Sequence, residues 1–370
     1  MNGQKLKAGF IGCGGIADQK YFPGIKANST LCEMVAFCDS DETRATKAAQ
    51  TWGIKGAKVY SDYKKLIAQP DIDVVFVMTP NVSHAPIVVE AFAAGKHVMC
   101  EKPMAATTED AQRMLEAWEK SGMKFTVGYQ NRFRPEVQSL YKMVRAGELG
   151  EIYFAKAMAV RRRAVPTWGV FANKSLQGGG PLIDIGTHAL DMTLWMMNNY
   201  EPASVSGSVF YKLGGLQEAT EGNLFGPWDP KTYEVEDSAF GFIKMKNGAT
   251  IMLESSWALN VLESREASTT LCGTKAGAEI RSGVSFPKDQ LVLNRGAHGQ
   301  LLDETLCPDG KINFTVTEDG QDLATVELKQ WLEALHGKGE ALVKPAEAFM
   351  VTKILDSIYK SAKSGKEVTF

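Results

Sequence analysis

The sequence predicts two domains: an α/β, doubly wound domain over residues 1–129, then an α+β domain with a mostly antiparallel sheet. Three observations carry this. Apolar strand-like runs alternate with helix patterns as far as Gly128, the pattern of a parallel sheet with right-handed crossovers. A glycine-rich turn follows the first of those runs directly. Past Gly128, strand-like runs follow one another with little helix between them. At 370 residues the chain is also too long for one ordinary core.

The elements fall in order. Leu6–Ile11 is a short, mostly apolar run, followed at once by Gly12-Cys13-Gly14-Gly15-Ile16-Ala17, a G-x-G-x-x-A turn. In that pattern the first glycine permits a tight turn and the second lets backbone approach a pyrophosphate. The small last residue lets the next helix pack on the strand. Amides at that helix start then face the phosphates. The run Glu33–Cys38 ends in Asp39, which stands 22 residues after Ala17 and suits a carboxylate bonded to the adenosine ribose of NAD. The same carboxylate repels the 2′-phosphate of NADP, so NAD is favoured over NADP. Ser40 adjoins it, and Arg44 is either a counter-charge there or a plain helix surface residue.

A short helix opens at Ser61 or Asp62 as its N-cap. Asp73–Met78 is continuously apolar from Val74 onward, as a strand buried on both faces should be. Thr79-Pro80-Asn81 ends it, and Ser83 is expected to cap a helix that stops at Gly95. Lys96–Cys100 is the next strand, and Glu101-Lys102-Pro103 follows. The residue before a proline prefers extended geometry, so Lys102 should project from the strand end, where open α/β sheets bind ligands. A helix from Thr107 to Gly122 and a strand over Lys124–Gly128 complete the domain.

The second domain is assigned residues 130–345. It begins with a helix near Pro135–Ala146 and a long strand over Glu151–Val160. Phe240–Trp257 reads as a hairpin around Asn247-Gly248, the dipeptide of type I′ turns. Leu213–Lys231, rich in Gly and Pro, is expected to be a mobile loop. A closing helix and final strand occupy 346–370.

Net charge is −2 and apolar content 44%, which points to neither a nucleic-acid nor a membrane partner. No run approaches the roughly 20 apolar residues of a membrane span. Met1–Lys5 leads straight toward the first strand, leaving no room for a signal peptide. The six cysteines lack metal-pair spacing, so reduced structural thiols in a cytoplasm are expected.

The second constellation is Gly178-Gly179-Gly180 followed by Asp184, His188 and Asp191 within a largely apolar stretch. On a helix, Asp184 and His188 share a face. Such a pair can be a satisfied core contact, two metal ligands with Asp191 as third, or a general base with its orienting carboxylate. No further histidine clusters there, so no metal is assigned.

Glu101-Lys102-Pro103, the G-x-G-x-x-A turn with Asp39, the Thr79-Pro80-Asn81…His84 segment and Asp184-x-x-x-His188 together resemble the Gfo/Idh/MocA oxidoreductases. The resemblance spans the chain, including Ile354–Ala362 and Gly365–Val368 as the family's closing helix and last strand. It implies a Rossmann domain plus an α+β domain with a large open-faced, mostly antiparallel sheet, through which members form homodimers or homotetramers. It implies that Lys102, Asp184 and His188 are catalytic. It further implies that Gly12, Gly14, Gly15 and Ile16 hold the pyrophosphate, and that Thr79, Pro80, Asn81, His84 and Glu101 line the cofactor. Gln130 and Trp168 fall where members touch the nicotinamide half; otherwise they are a loop residue and a core aromatic.

The implied reaction is NAD-dependent oxidation of a sugar or polyol secondary alcohol. Arg161 and Arg163, on one face of an alternating strand with Arg162 opposite, would flank the substrate unless they are merely solvated. A glycosidase that holds NAD for a transient oxidation is the alternative within the superfamily. A non-catalytic dinucleotide sensor is disfavoured, because all three catalytic positions are kept.

Overall fold

The computed structural model describes residues 5–286, 289–306 and 323–370. Met1–Gln4, expected to lead into the first strand, and Cys307 lie outside the described residues. The chain forms two compact units: residues 1–130 with 320–349, and residues 131–319 with 350–370. The sequence domains ran straight through 345; the described residues 323–349 instead group with the first unit.

The first unit carries six strands: β1 (Leu6–Ile11), β2 (Cys32–Cys38), β3 (Lys58–Tyr60), β4 (Val74–Val77), β5 (His97–Glu101) and β6 (Phe125–Gly128). Their order is β3-β2-β1-β4-β5-β6, with every neighbouring pair parallel. Growth of the sheet reverses between β1 and β4, so ligand-binding loops belong outside the carboxyl ends of those strands. The four residues of β4 are wholly buried, as helices on both faces require. Phe10 stacks on Phe37 and Phe76 at 5.4 and 5.1 Å, and meets Phe22 edge-on at 5.3 Å. The helix Leu323–Leu335 joins this same core through Leu328, Trp331, Leu332 and Leu335. That shared burial is why a late segment groups with the N-terminal sheet.

Helix starts follow local chemistry. Asp41, Asp62 and Thr107 each accept a backbone N–H from the first turn of the helix they precede. Gly122 and Gly95, with φ of 69° and 70°, stop theirs. Ser83 departs from expectation. It sits in helical geometry after a single 3₁₀ turn, and its hydroxyl bonds back to Pro80 O at 2.7 Å rather than capping forward.

The second unit is built on a nine-stranded sheet: β7 (Ile152–Val160), β8 (Pro202–Phe210), β9 (Ser238–Met245), β10 (Thr250–Ser256), β11 (Arg265–Gly273), β12 (Gly277–Arg281), β13 (Gln290–Ala297), β14 (Gln300–Leu306) and β15 (Val368–Thr369). The order is β14-β13-β12-β11-β7-β10-β9-β8-β15. Only β7 and β10 pair parallel, which makes the sheet mixed but mostly antiparallel.

The β9–β10 hairpin forms as expected, but its turn is not type I′. That turn needs positive φ at both central residues, and here Gly248 has φ 91° while Asn247 is not left-handed. Gly248 N donates to Met245 O at 3.0 Å and Met245 N to Ala249 O at 2.8 Å, the pattern of a type I turn closed by a left-handed glycine. The helical stretch that carries Asp184 and His188 is also interrupted. A π turn, Leu182–Gly186, precedes the α-helix Thr187–Met197, which ends at left-handed Asn198. Such turns are rare and frequent at functional sites.

Candidate active site

In the first unit the candidate residues follow the carboxyl ends of β1, β2, β4, β5 and β6. Gly12 has φ 95°, and a Cβ there would stand 2.6 Å from Met78 O, so only glycine lets the turn pass β4. Nothing lies within 4 Å of where a side chain would stand at Gly14 or Gly15, and Ile16 is exposed. The loop is therefore a bare, outward backbone surface at a helix start, which fits the pyrophosphate of a dinucleotide. Asp39, half-buried, accepts from Cys13 N at 2.8 Å and from Asp41 N at 2.9 Å, tying the end of β2 to the glycine turn. Ser40 beside it is exposed. Arg44 reaches Asp41 at 3.4 Å and is well exposed.

After β4, Thr79, Pro80 and Asn81 are half-buried. His84 is wholly buried, with Nδ1 3.0 Å from Pro103 O and Nε2 2.9 Å from Thr79 O. Burial lowers its pKa from the ordinary 6.5 against the pull of those carbonyls. It thus braces the loop after β4 to the loop after β5, a role the sequence did not suggest.

Glu101 is likewise an anchor. Its Oε1 accepts from Lys20 Nζ at 2.8 Å and from Tyr21 OH at 2.9 Å, while Oε2 accepts from Lys102 N at 2.9 Å. Lys20, on a π turn over Ala17–Tyr21, also pairs with Glu327 at 3.0 Å and lies 3.3 Å from Gln130 Oε1. Burial alone would raise the Glu101 pKa; Lys20, then Lys102, outweigh it and hold the carboxyl below its usual range. Burial would lower that of Lys20, but Glu101 and Glu327 lift it to about 12. The cluster is thus ionised, and it fixes the backbone of half-buried Lys102. Gly128 makes room for it, since a Cβ there would stand 2.9 Å from Tyr21 OH and 3.1 Å from Lys20 Nζ.

In the second unit, every residue from 181 to 196 is buried except Asp184 and His188, which are half-buried. Those two alone bring the helical segment's chemistry to the surface. Asp184 Oδ2 accepts from Trp257 Nε1 at 3.1 Å. Glu236, buried, accepts from Gly180 N at 2.9 Å, Leu182 N at 3.2 Å and Tyr359 OH at 2.6 Å. A carboxylate at a helix start is favourable, and this one caps the turn that presents Asp184. Burial nonetheless raises its pKa from the usual 4.5. Side chains at Gly179 and Gly180 would collide with Tyr359 and with Glu236 O, which explains two of the three glycines.

Asp191 is taken by Arg132, through Nη2 at 2.6 Å and Nε at 3.0 Å, and both are buried. It is a structural ion pair, and no cluster of three metal-ligating side chains occurs among the described residues. Arg161–Arg163 do not alternate on a regular strand, because β7 ends at Val160 and only irregular pairing continues beyond it: Arg161 N donates to Ser256 O at 2.9 Å, and Arg163 forms an isolated antiparallel bridge with Ala258. Arg161 grips Glu266 through two nitrogens, and Asp184 adds to the field that keeps it cationic. Arg163 spends its guanidinium on Ala219 O at 3.0 Å, Arg162 O at 2.6 Å and Asn260 Oδ1 at 2.7 Å. The segment 213–231 is pinned in turn: Asp237 accepts from Lys212 N and Leu213 N, and Trp228 Nε1 donates to Gly214 O at 2.7 Å. Trp168 is no core aromatic; it is 52% exposed.

Comparison with known proteins places the chain. Residues 6–129 match the family profile GFO_IDH_MocA, "Oxidoreductase family, NAD-binding Rossmann fold". Residues 141–370 match its companion, "Oxidoreductase family, C-terminal alpha/beta domain". A D-glucoside 3-dehydrogenase of Escherichia coli is 35% identical over 368 residues, covering 100% of this chain and 98% of that one. An inositol 2-dehydrogenase of Salmonella typhimurium is 31% identical over 194 residues, 52% of this chain and 55% of that protein. The WlbA dehydrogenase of Bordetella pertussis, solved with NADH and UDP-GlcNAcA, shares the fold with a TM-score of 0.76 at 22% identity, over 99% of each chain.

Proposed function

The chain belongs to the Gfo/Idh/MocA oxidoreductase family, and from that premise we propose that it oxidises a secondary alcohol of a sugar or polyol with NAD as hydride acceptor. The observation that carries this reading is the pair Asp184 and His188, surfacing alone from an otherwise buried helical segment. Bound NAD supplies the acceptor for the hydride. The bare backbone of Gly12, Gly14, Gly15 and Ile16 would receive its pyrophosphate, and Asp39 with Ser40 its ribose. Thr79, Pro80, Asn81 and Gln130 would line it further along, while His84 and Glu101 act by holding those loops. Arg44, engaged by Asp41, leaves Asp39 to disfavour a 2′-phosphate.

His188 takes the hydroxyl proton, and Lys102 stabilises the alkoxide charge as it develops. Asp184, oriented by Trp257 and neighboured by Arg161, hydrogen-bonds substrate hydroxyls. Fresh NADH measured at 340 nm with NAD and a panel of inositols, hexoses and glycosides tests the reading. Product with one class supports it, whereas silence across the panel with wild-type protein overturns it, and a preference for NADP overturns the role given to Asp39.

We also assign a homo-oligomer formed through the open sheet face, in a cytoplasm. Phe242 and Met252 stand directly opposite each other on β9 and β10 and are both exposed, as a sheet that docks on a second copy requires. The five described cysteines are free, and no helix among the described residues is long and apolar enough to cross a membrane. Light scattering at micromolar protein checks the first point: a monomer mass would remove it.

A further inference from the structure

The rings around Asp184 extend well beyond what a single sugar ring would need. Trp257, whose indole donates to Asp184, meets Phe171 edge-on at 6.2 Å. Phe171 meets Trp168 at 5.9 Å, and Trp168 meets Phe225 at 4.7 Å with the planes at 89°. The inner end of this row is closed and the outer end open: Trp257 is buried, whereas Trp168, Phe225 and Leu224 are 52%, 38% and 61% exposed. Large apolar side chains this exposed, in one contiguous run, mark a surface that a ligand covers.

The backbone beneath them is fixed. Leu224 N donates to Arg163 O at 3.0 Å, Thr167 Oγ1 to Phe225 O at 2.7 Å, and Val165 N to Asn223 Oδ1 at 2.8 Å. Asn223 Nδ2 also donates to Val165 O at 3.0 Å. The shelf is therefore ordered before any ligand arrives, so covering it costs little in conformational entropy. Edge-to-face packing leaves aromatic faces open, and the apolar C–H face of a pyranose or a phenyl ring is their natural complement.

Resting on the sugar-dehydrogenase reading, we infer that the substrate is a glycoside: the ring to be oxidised meets Asp184, and its aglycone or second sugar ring lies on the Trp168–Phe225–Leu224 shelf. A free monosaccharide engaging Asp184 would leave the outer rings bare.

Two measurements test this in wild type, Phe225→Ala and Leu224→Ser. The first is kcat/KM for phenyl glucoside relative to glucose; the second is calorimetric binding of phenyl glucoside, which needs no turnover. Wild type should favour the glucoside at least tenfold, and each variant should lose about tenfold of that ratio and of the binding, equivalent to about 1.4 kcal/mol. An unchanged ratio and unchanged binding in both variants overturns the inference. So does a raised KM for NAD with the ratio intact, which would give the shelf to the cofactor. Binding that weakens in the variants while wild type makes no NADH keeps the shelf and sinks the redox reading instead.

Discussion

The two units fix their catalytic candidates by opposite electrostatic means. Lys102 is held through Glu101, a carboxylate made comfortable in the interior by a buried cation, Lys20, which a second buried carboxylate, Glu327, also grips. Asp184 is held through Glu236, a buried carboxylate that faces two backbone amides and a tyrosine hydroxyl. The first anchor has a depressed pKa and the second a raised one. A buried charge with a counter-ion stays charged cheaply; one satisfied by dipoles alone remains strained by burial. The two anchors should therefore respond differently to mutation and to pH.

The largest effects come from the groups being held. Lys102→Ala should lower kcat by about 10²–10³-fold, the scale for deleting one stabiliser of a developing oxyanion. NAD affinity, read by quenching of protein fluorescence, should change little. Turnover like that of wild type would remove Lys102 from the chemistry. Next is the ionic anchor itself. Lys20→Met strands Glu101 and Glu327 without their shared cation, and breaking a buried pair from one side costs about 3–5 kcal/mol. Thermal unfolding should show a drop of several degrees, and adding Glu327→Gln to the variant should recover part of it. A variant as stable as wild type would mean that the triad contributes nothing.

The dipolar anchor gives a smaller effect with a distinctive sign. Glu236→Gln keeps the volume and one acceptor but puts an amide NH₂ where an acceptor oxygen stood, so about 1 kcal/mol is expected, the net worth of one neutral hydrogen bond. Because the folded pKa of Glu236 lies above 4.5, its contribution is complete below pH 4.5 and is lost as pH rises through the folded value. Glu101 behaves in reverse: its contribution is present above pH 4.5 and is lost as pH falls through its depressed value. Melting wild type and Glu236→Gln from pH 4.5 to 7 should show the gap between them narrowing as pH rises. A gap that widens would mean Glu236 is stabilised as a carboxylate after all.

How legible these anchors were in the sequence depends on distance along the chain. The glycine turn, Asp39 and the helix caps are local, with each residue acting on backbone within a few positions of itself or at a known offset. Lys20 reads as an ordinary helix lysine, because nothing near it announces Glu101 and Glu327, which arrive from a strand end and a distant helix. Glu236 is equally silent. Glycines did carry a usable signal: Gly128, Gly179 and Gly180 are each required by close approach of the very groups the sequence hid. The hairpin turn was mistyped because Asn-Gly favours type I′ only when the loop is two residues long, and here strand pairing stops earlier, at Met245. Arg161–Arg163 were misread because alternation was extended past Val160, where β7 ends.

The smallest effect sharpens the contrast from the surface side. Arg44 and Asp41 make an exposed i,i+3 pair at 3.4 Å beside Asp39. Water screens such a pair, so Arg44→Ala should move stability by less than about 1 kcal/mol, unlike either buried anchor. Its effect on cofactor choice should also be slight if, as proposed, Asp39 disfavours a 2′-phosphate, because that carboxylate is fixed by Cys13 N and Asp41 N whether or not Arg44 is present. The ratio of kcat/KM for NAD to that for NADP is the measurement. A change under about threefold, less than 1 kcal/mol, would leave Asp39 as the selector. A larger rise in that ratio would show that Arg44 had been offsetting the carboxylate and tolerating the phosphate, and the glycine-turn site would then have to be read as serving both cofactors.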